Sequence, residues 1–417
     1  TITYGMFAAR LHDDVLETFS RQEALEKLPA SNPFLKGLFE YVAGPALPKR
    51  LTYIVDDLVQ VMRASDPQSL FRDFGKFTAR NDPFIHFYED FLAAYNPKKR
   101  KSRGVWYTPE PVVDFIVRAV DDVLKTEFGL ADGLADTSKV TVDWDTGQND
   151  KKGKPVTEKR QVHRVQILDP ATGTGTFLAK AVQLIADRVK ARAPAKWSGY
   201  VEQELMPRLH GFELLMASYA MCHMKLDMQL TQSGYKPSKK PPRLSVWLTN
   251  SLEPAERDVR DLFFHQLAEE ARGASEVKRQ TPIMCVIGNP PYSGESANKG
   301  DHIMGLMEAY KKEPGGEEKL KERNPKWIND DYPHGRRFDL EKPVRRGSRL
   351  HHQSRLSRQS HLQRHAVAPA EDIRQDLGPG PARQCQEEGN QSGRIAGQKR
   401  VRHPARRGAH CGGTEGY

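Results

Sequence analysis

Three short stretches of this 417-residue chain combine residue types that could bind and act on a ligand. Asp169-Pro170-Ala171-Thr172-Gly173-Thr174-Gly175 follows an apolar run at 165–168 and leads into a helical pattern at 176–192. Two glycines at a strand-to-helix turn let the backbone pass close to a ligand, at a helix start that offers unpaired N–H groups. Glu213 closes His210-Gly211-Phe212-Glu213 at the end of the next apolar run. A carboxylate there can grip two ribose hydroxyls, or stand as a solvated acid at a helix start. The third stretch, Gly288-Asn289-Pro290-Pro291-Tyr292, ends the apolar run 283–287. Its two prolines fix the backbone and remove two donors, so neighbouring carbonyls face outward. A rigid turn alone accounts for the prolines, but not for an amide before them and an aromatic ring after.

The elements that must carry these residues follow from periodicity. Short apolar runs at 165–168, 208–212, 244–248 and 283–287 read as strands, and helical patterns at 176–192 and 214–230 separate the first three. Such alternation predicts a mainly parallel, doubly wound sheet, in which ligands bind beyond the carboxyl ends of the strands. A helix is expected over 111–124, with Pro109 and Pro111 punctuating its start, and a hairpin insertion near 138–162. Residues 1–100 read as helical, with one amphipathic stretch opening at Leu11 and another over 51–62. The aromatics of 82–92 fall at helical spacing and are expected in a core rather than stacked on bases. The basic run Lys98-Lys99-Arg100-Lys101 with Arg103 reads as a solvated linker before a phosphate contact.

A glycine turn alone would also suit a nicotinamide dinucleotide. That fingerprint needs a further glycine three residues after Gly175, where Leu178 stands, and an acid about 20 residues on, well short of Glu213. Cytosine C5 chemistry needs a nucleophilic thiol. Cys222 and Cys285 lie in apolar runs and read as core. No cysteine–histidine set has zinc spacing, so no metal site is expected, and four cysteines are too few for a disulfide framework.

Together these motifs resemble the N6-adenine DNA methyltransferases that use S-adenosylmethionine. The family's Asp-Pro-x-x-Gly-x-Gly turn matches Asp169 to Gly175, with Asp169, Ala171, Thr172, Gly173 and Gly175 implied as cofactor contacts, and its Asn-Pro-Pro-Tyr motif matches Asn289 to Tyr292. Trp106-Tyr107-Thr108-Pro109 is similar to the segment that folds over the methionine part of the cofactor, which implies roles for Tyr107, Thr108 and Pro109. Glu213 is implied as the ribose acid, and Asn250 occupies a position near the cofactor adenine where the family more often has Asp. The resemblance implies that Asn289 and the Pro290 carbonyl accept from an adenine amine, with Pro291 stiffening the turn and Tyr292 stacking on a base flipped out of double-stranded DNA.

The region before residue 100 and the wording of 104–117 look most like the methylase part of type ISP restriction–modification enzymes. This implies a Rossmann-like methyltransferase sheet preceded by a helical region. The expected domains are a helical, coupler-like 1–100, a catalytic 101–340 and a basic tail over 341–417. A start at Thr1 without Met leads to the expectation of a longer protein, with nuclease and helicase modules upstream. Two other readings share the motifs: a protein-glutamine N5 methyltransferase, and a catalytically impaired remnant that binds cofactor or DNA only.

Charge adds less than its total suggests. The net charge of +10 and pI near 9.3 would suit a nucleic-acid partner. Residues 343–417, however, hold 14 Lys plus Arg against 6 Asp plus Glu, while the preceding 342 residues hold 50 against 48. That tail has Tyr417 as its only Phe, Trp or Tyr and shows no periodicity, so it is not expected to build a core. Read one nucleotide later, permitted codons for 350–366, 375–391 and 392–409 offer apolar runs alternating with turns, similar to what the type ISP family carries after its catalytic motif. A frameshift between residues 329 and 350 is therefore expected, and with it an incomplete sheet. A mean hydropathy of −0.67 and the lack of an apolar run of ~18 residues argue against a membrane span and for a cytoplasmic protein.

Overall fold

The computed structural model describes residues 2–11, 13, 18–28, 33–44, 47–66, 69, 108–255, 265–290 and 299–311. The chain divides into two compact units, 1–370 and 371–417, and every described residue belongs to the first. The aromatics of 82–92, the basic run at 98–103, Tyr107, Pro291, Tyr292 and the basic tail lie outside the described residues.

The chain opens with helices α1 (Ile2–Leu11), α2 (Arg21–Lys27), α3 (Pro33–Ala43) and α4 (Lys49–Arg63). Leu11 is the last residue of the first helix; of the amphipathic stretch opening there, only Leu11 and Asp13 lie among the described residues. Arg10 is fully buried, its Nη1 paired with Asp13 Oδ2 at 2.7 Å and its Nε donating to the Met62 carbonyl at 3.0 Å. This pair fixes the exit of α1 against the end of α4. Ser20 caps α2 by accepting from the Glu23 backbone N–H at 3.1 Å, a bond that satisfies one of the four open donors at a helix start.

Helix α5 (Glu110–Thr126) begins behind Pro109 and buries Val113, Ile116, Val117, Val120 and Leu124, one stripe at helical spacing. The hairpin β1 (Lys139–Asn149) and β2 (Pro155–His163) follows, antiparallel and largely exposed. Then come β3 (Ile167–Asp169), α6 (Thr176–Arg192), short helical turns over 194–208, and β4 (Leu209–Glu213). Helix α7 (Met216–Gln232), β5 (Ser245–Leu248), α8 (His265–Gln280), β6 (Cys285–Val286) and α9 (Asp301–Tyr310) complete the described chain.

The four strands β5-β4-β3-β6 pair in that order, all parallel, as a doubly wound sheet. From β3 the chain winds outward to β4 and β5, then crosses back to place β6 on the other side of β3. The reversal opens a crevice at the carboxyl ends of β3 and β6, the topological switch point where open α/β sheets bind ligands. The β6 ladder is shorter than the apolar run 283–287. Ile287 still donates to the Leu168 carbonyl at 2.9 Å, but Pro290 has no N–H with which to extend the pairing.

Helix α7 is buried on nearly every side, from Ser218 through Met224 and on to Leu226 and Leu230. Its neighbours explain why it is apolar all round. Cys222, Leu226 and Leu230 join the core around the sheet, whereas Met221 and Met224 join Met6, Phe39, Val55 and Val59 in the core of the helical region. Phe34 of α3 meets Tyr219 edge-on, with ring centroids 5.8 Å apart. The helical region is thus packed onto the back of the sheet's own helix. No helix of the described residues is long and apolar enough to cross a membrane.

Candidate functional site

The first side of the crevice is the glycine turn after β3. Asp169 is fully buried, and its Oδ1 accepts from the Ala171 N–H at 3.1 Å, which folds the turn back on the strand end. Thr172 anchors the turn to the neighbouring strand, its N–H and hydroxyl both donating to the Phe212 carbonyl at 3.0 and 3.1 Å. Its side chain is therefore occupied by β4 rather than turned to a ligand. The two glycines do different work. Gly175, at φ 83°, starts α6 against α7, and a Cβ there would lie 2.7 Å from Cys222 Sγ. Gly173, at φ 54°, would carry a Cβ that meets nothing within 4 Å. That side of Gly173 faces open space beside the Glu213 carboxylate, to which its N–H donates.

Glu213 stands at the end of β4, and its carboxylate bridges two backbone segments. Oε2 accepts from the Gly173 N–H at 2.8 Å and Oε1 from the Leu215 N–H at 2.7 Å. The second bond keeps Leu215 extended, so α7 starts at Met216 rather than at 214 as its periodicity suggests. Burial pushes the Glu213 carboxyl up to about 7, against these N–H donors, which favour the ionised form. An acid at the strand end, held on the turn's own backbone and poised to ionise near neutral pH, is suited to receive hydroxyl donors.

The second side is the exit of β6. Gly288 passes so close to β3 that a Cβ on it would lie 2.6 Å from Asp169 Oδ1. The sequence contained this glycine, but nothing local marked it as a point of close approach. Asn289 follows, half-buried, and its Nδ2 donates to the Thr108 hydroxyl at 3.1 Å across 181 positions of sequence. With the amide nitrogen committed to Thr108, Oδ1 is the corner left as acceptor. Pro290 is buried behind it. Pro109 heads α5, and its carbonyl receives the Val112 and Val113 N–H groups at 2.9 and 3.2 Å. Asn289 and Thr108 thus meet, and Gly288 ties their loop to the Asp169 turn. Tyr107, Pro291 and Tyr292 cannot be placed on this edge, since they fall outside the described residues.

Asn250 lies two residues beyond β5, at the same carboxyl edge. Its side chain folds its own turn, Oδ1 accepting from the Leu252 N–H and Nδ2 donating to Glu253 Oε1, each at 3.1 Å. The next residue back, Thr249, donates its N–H to the Glu213 carbonyl at 2.8 Å. Burial pushes the Cys285 thiol up to about 12, and Cys222 higher still, so neither is a thiolate at neutral pH. Among the described residues, no group of three His, Cys, Asp or Glu side chains is placed to hold a metal ion.

Comparison with known proteins agrees with this architecture. Residues 79–135, which include Thr108, Pro109 and α5, match the N-6 DNA Methylase family. The fold is similar to that of the ATP-dependent Type ISP restriction-modification enzyme LlaBIII bound to DNA, at 19% identity and a TM-score of 0.50, covering 82% of this chain and 20% of that one. The DrdV–DNA complex matches at 20% identity and a TM-score of 0.46, covering 81% of this chain and 28% of its own. A nuclease-deletion mutant of the Type ISP enzyme LlaGI, in complex with a DNA substrate mimic, matches at 17% and 0.43, covering 81% and 26%. The chain spans between about a fifth and just over a quarter of the length of these solved chains. No curated protein matches it. The described sheet is doubly wound and parallel, and residues 79–135, which lead into it, are similar to the N-6 DNA Methylase family.

Proposed function

We propose that this chain is the methyltransferase part of a type ISP-like restriction–modification enzyme, acting on N6 of an adenine extruded from double-stranded DNA. The observation that carries the reading is the hydrogen bond from Asn289 to Thr108. It joins the Asn-Pro-Pro loop to the segment matched by the N-6 DNA methylase family, at the crevice beside the glycine turn. The DNA complexes of the similar solved enzymes favour the same substrate class. So does the family match, against a protein-glutamine substrate.

The residues present fit S-adenosylmethionine. The side chain position of Gly173 is open, and Glu213 at the adjacent strand end offers a carboxylate to a ribose diol. Gly173, Glu213, Asn250, Thr108 and Pro109 would surround it, with Asp169, Ala171, Thr172 and Gly175 shaping the turn. When bound, this cofactor supplies an electrophilic methyl group on a sulfonium.

The protein's own task is to make an amine nucleophilic. The lone pair of an exocyclic adenine amine is delocalised into the ring. Asn289 Oδ1 and the Pro290 carbonyl both accept from N6, drawing its two N–H bonds into fixed directions and localising the lone pair. Thr108 stops the Asn289 amide from presenting its NH2 instead. The family resemblance assigns to Tyr292 the stacking of the extruded base, which has lost its neighbours in the duplex. No covalent intermediate is needed, so positioning and charge placement supply the rate.

Tritiated methyl transfer tests the reading, with the full chain offered duplex DNA or a release-factor-like protein bearing a glutamine acceptor. Transfer to DNA is expected. Transfer to the protein in preference to DNA contradicts the substrate assigned here.

A further inference from the structure

Helix α8 contributes nothing to the motifs, yet it directs two charged side chains at the exit of β5. Lys278, in its last turn, is only 9% exposed. Its Nζ donates to Thr249 Oγ1 at 3.2 Å, the Asn250 carbonyl at 2.7 Å and the Glu253 carbonyl at 3.1 Å. The ammonium also lies 5.6 Å from the centroid of the Phe212 ring, within reach of a cation–π contact. Eight residues earlier on the helix, Glu270 accepts from the Leu248 N–H at 3.0 Å and is itself held by Arg243 and by the Tyr219 hydroxyl. The segment from Leu248 to Glu253 is thereby gripped from one side by α8. On the other side Thr249 is bound to the backbone of Glu213.

We propose that Lys278 is a positioning residue for the cofactor's base, fixing the turn at 249–253 beside the Glu213 strand end so that the adenine rests against it. The inference rests on the S-adenosylmethionine reading and extends it to a residue outside every motif. A lysine suits the task because an ammonium carries three donors on a compact head and can satisfy several converging oxygens. The Asn250 side chain is spent on its own turn, so the position of that turn depends on what holds its backbone. Lys278 holds two of its carbonyls and a hydroxyl.

The test is calorimetric and needs no turnover. The full chain and its Lys278→Met, Lys278→Arg and Thr249→Val variants are titrated with S-adenosylhomocysteine and with S-inosylhomocysteine, which differ at position 6 of the base. The unaltered chain should prefer the adenosyl ligand. Lys278→Met should lose about tenfold or more in affinity for it, as expected for charge-assisted bonds to the turn, and the preference between the ligands should narrow. Lys278→Arg should retain most of the preference, and Thr249→Val should fall between. A merely structural lysine would lower the melting temperature and leave the preference alone. A folded Lys278→Met with unaltered affinity and preference overturns the proposal, and Thr249→Val decides the same way if Lys278→Met does not fold. If the unaltered chain binds neither ligand, the S-adenosylmethionine reading itself falls, and the role of Lys278 with it.

Discussion

Glu213 makes the cofactor reading quantitative. Its carboxyl is pushed by burial from an ordinary 4.5 up to about 7, while a ribose diol that donates two hydroxyls needs the ionised form. Binding should therefore draw a proton off Glu213 wherever the ligand-free protein still holds one. With a free-state value of about 7 and a bound-state value well below it, apparent affinity falls about tenfold from roughly pH 8 to roughly pH 6. The sign for folding runs the other way. A carboxyl whose folded value is raised contributes stability below its unfolded value of 4.5, and that contribution is lost as pH rises through about 7. The shift corresponds to roughly 3 kcal/mol by the conversion of about 1.4 kcal/mol per pKa unit. Calorimetry with S-adenosylhomocysteine across this range, in buffers of different ionisation enthalpy, should show close to one proton released per ligand at the acid end. Glu213→Gln should bind more weakly at high pH and lose the pH dependence. Affinity that is flat in the unaltered chain, or equally steep in Glu213→Gln, refutes the assignment.

Three further outcomes follow from the same geometry. Gly175→Ala forces φ near 83° on a residue with a Cβ and drives that Cβ at Cys222, so it should cost about 1–3 kcal/mol in denaturant unfolding. Gly173→Ala meets no protein atom and should cost less stability, yet it should bind S-adenosylhomocysteine more weakly; equal stability losses would contradict the division of labour between the two glycines. At saturating cofactor, Thr108→Val should slow single-turnover methyl transfer about tenfold while Thr108→Ser keeps most of the rate, and a Val variant as fast as the unaltered chain would mean that Asn289 needs no such anchor. For the basic tail, the nucleotide sequence should stay open one nucleotide later across codons 350–409, and stop codons in that frame would dispose of the frameshift.

Much of this architecture was legible in the sequence, and the exceptions have physical causes. The β3 to β6 sheet could be read because each strand is a short apolar run that stops at a polar or turn residue, Asp169, Glu213, Thr249 or Gly288, and α6 coincides with its periodic segment 176–192. Arg10 at the end of α1 reaches Asp13 and Met62, and a buried arginine looks in a sequence like any surface one. Gly173 and Gly175 are alike in the motif, and only the packing of α7 separates the glycine that meets Cys222 from the one that faces open space. The bond between Asn289 and Thr108 joins residues 181 positions apart, beyond any local pattern. Lys278 was equally hidden, since a lysine near the end of a polar helix ordinarily reads as solvated.

The central claim is that Asn289 activates an adenine amine. Single-turnover incubation of the chain, in excess over duplex DNA, with methyl-labelled S-adenosylmethionine tests it most directly, followed by digestion to nucleosides and mass spectrometry. The account predicts label on N6-methyldeoxyadenosine, abolished by Asn289→Ala while S-adenosylhomocysteine still binds. Label on cytosine or on protein glutamine, or N6-methyldeoxyadenosine formed undiminished by Asn289→Ala, would contradict it.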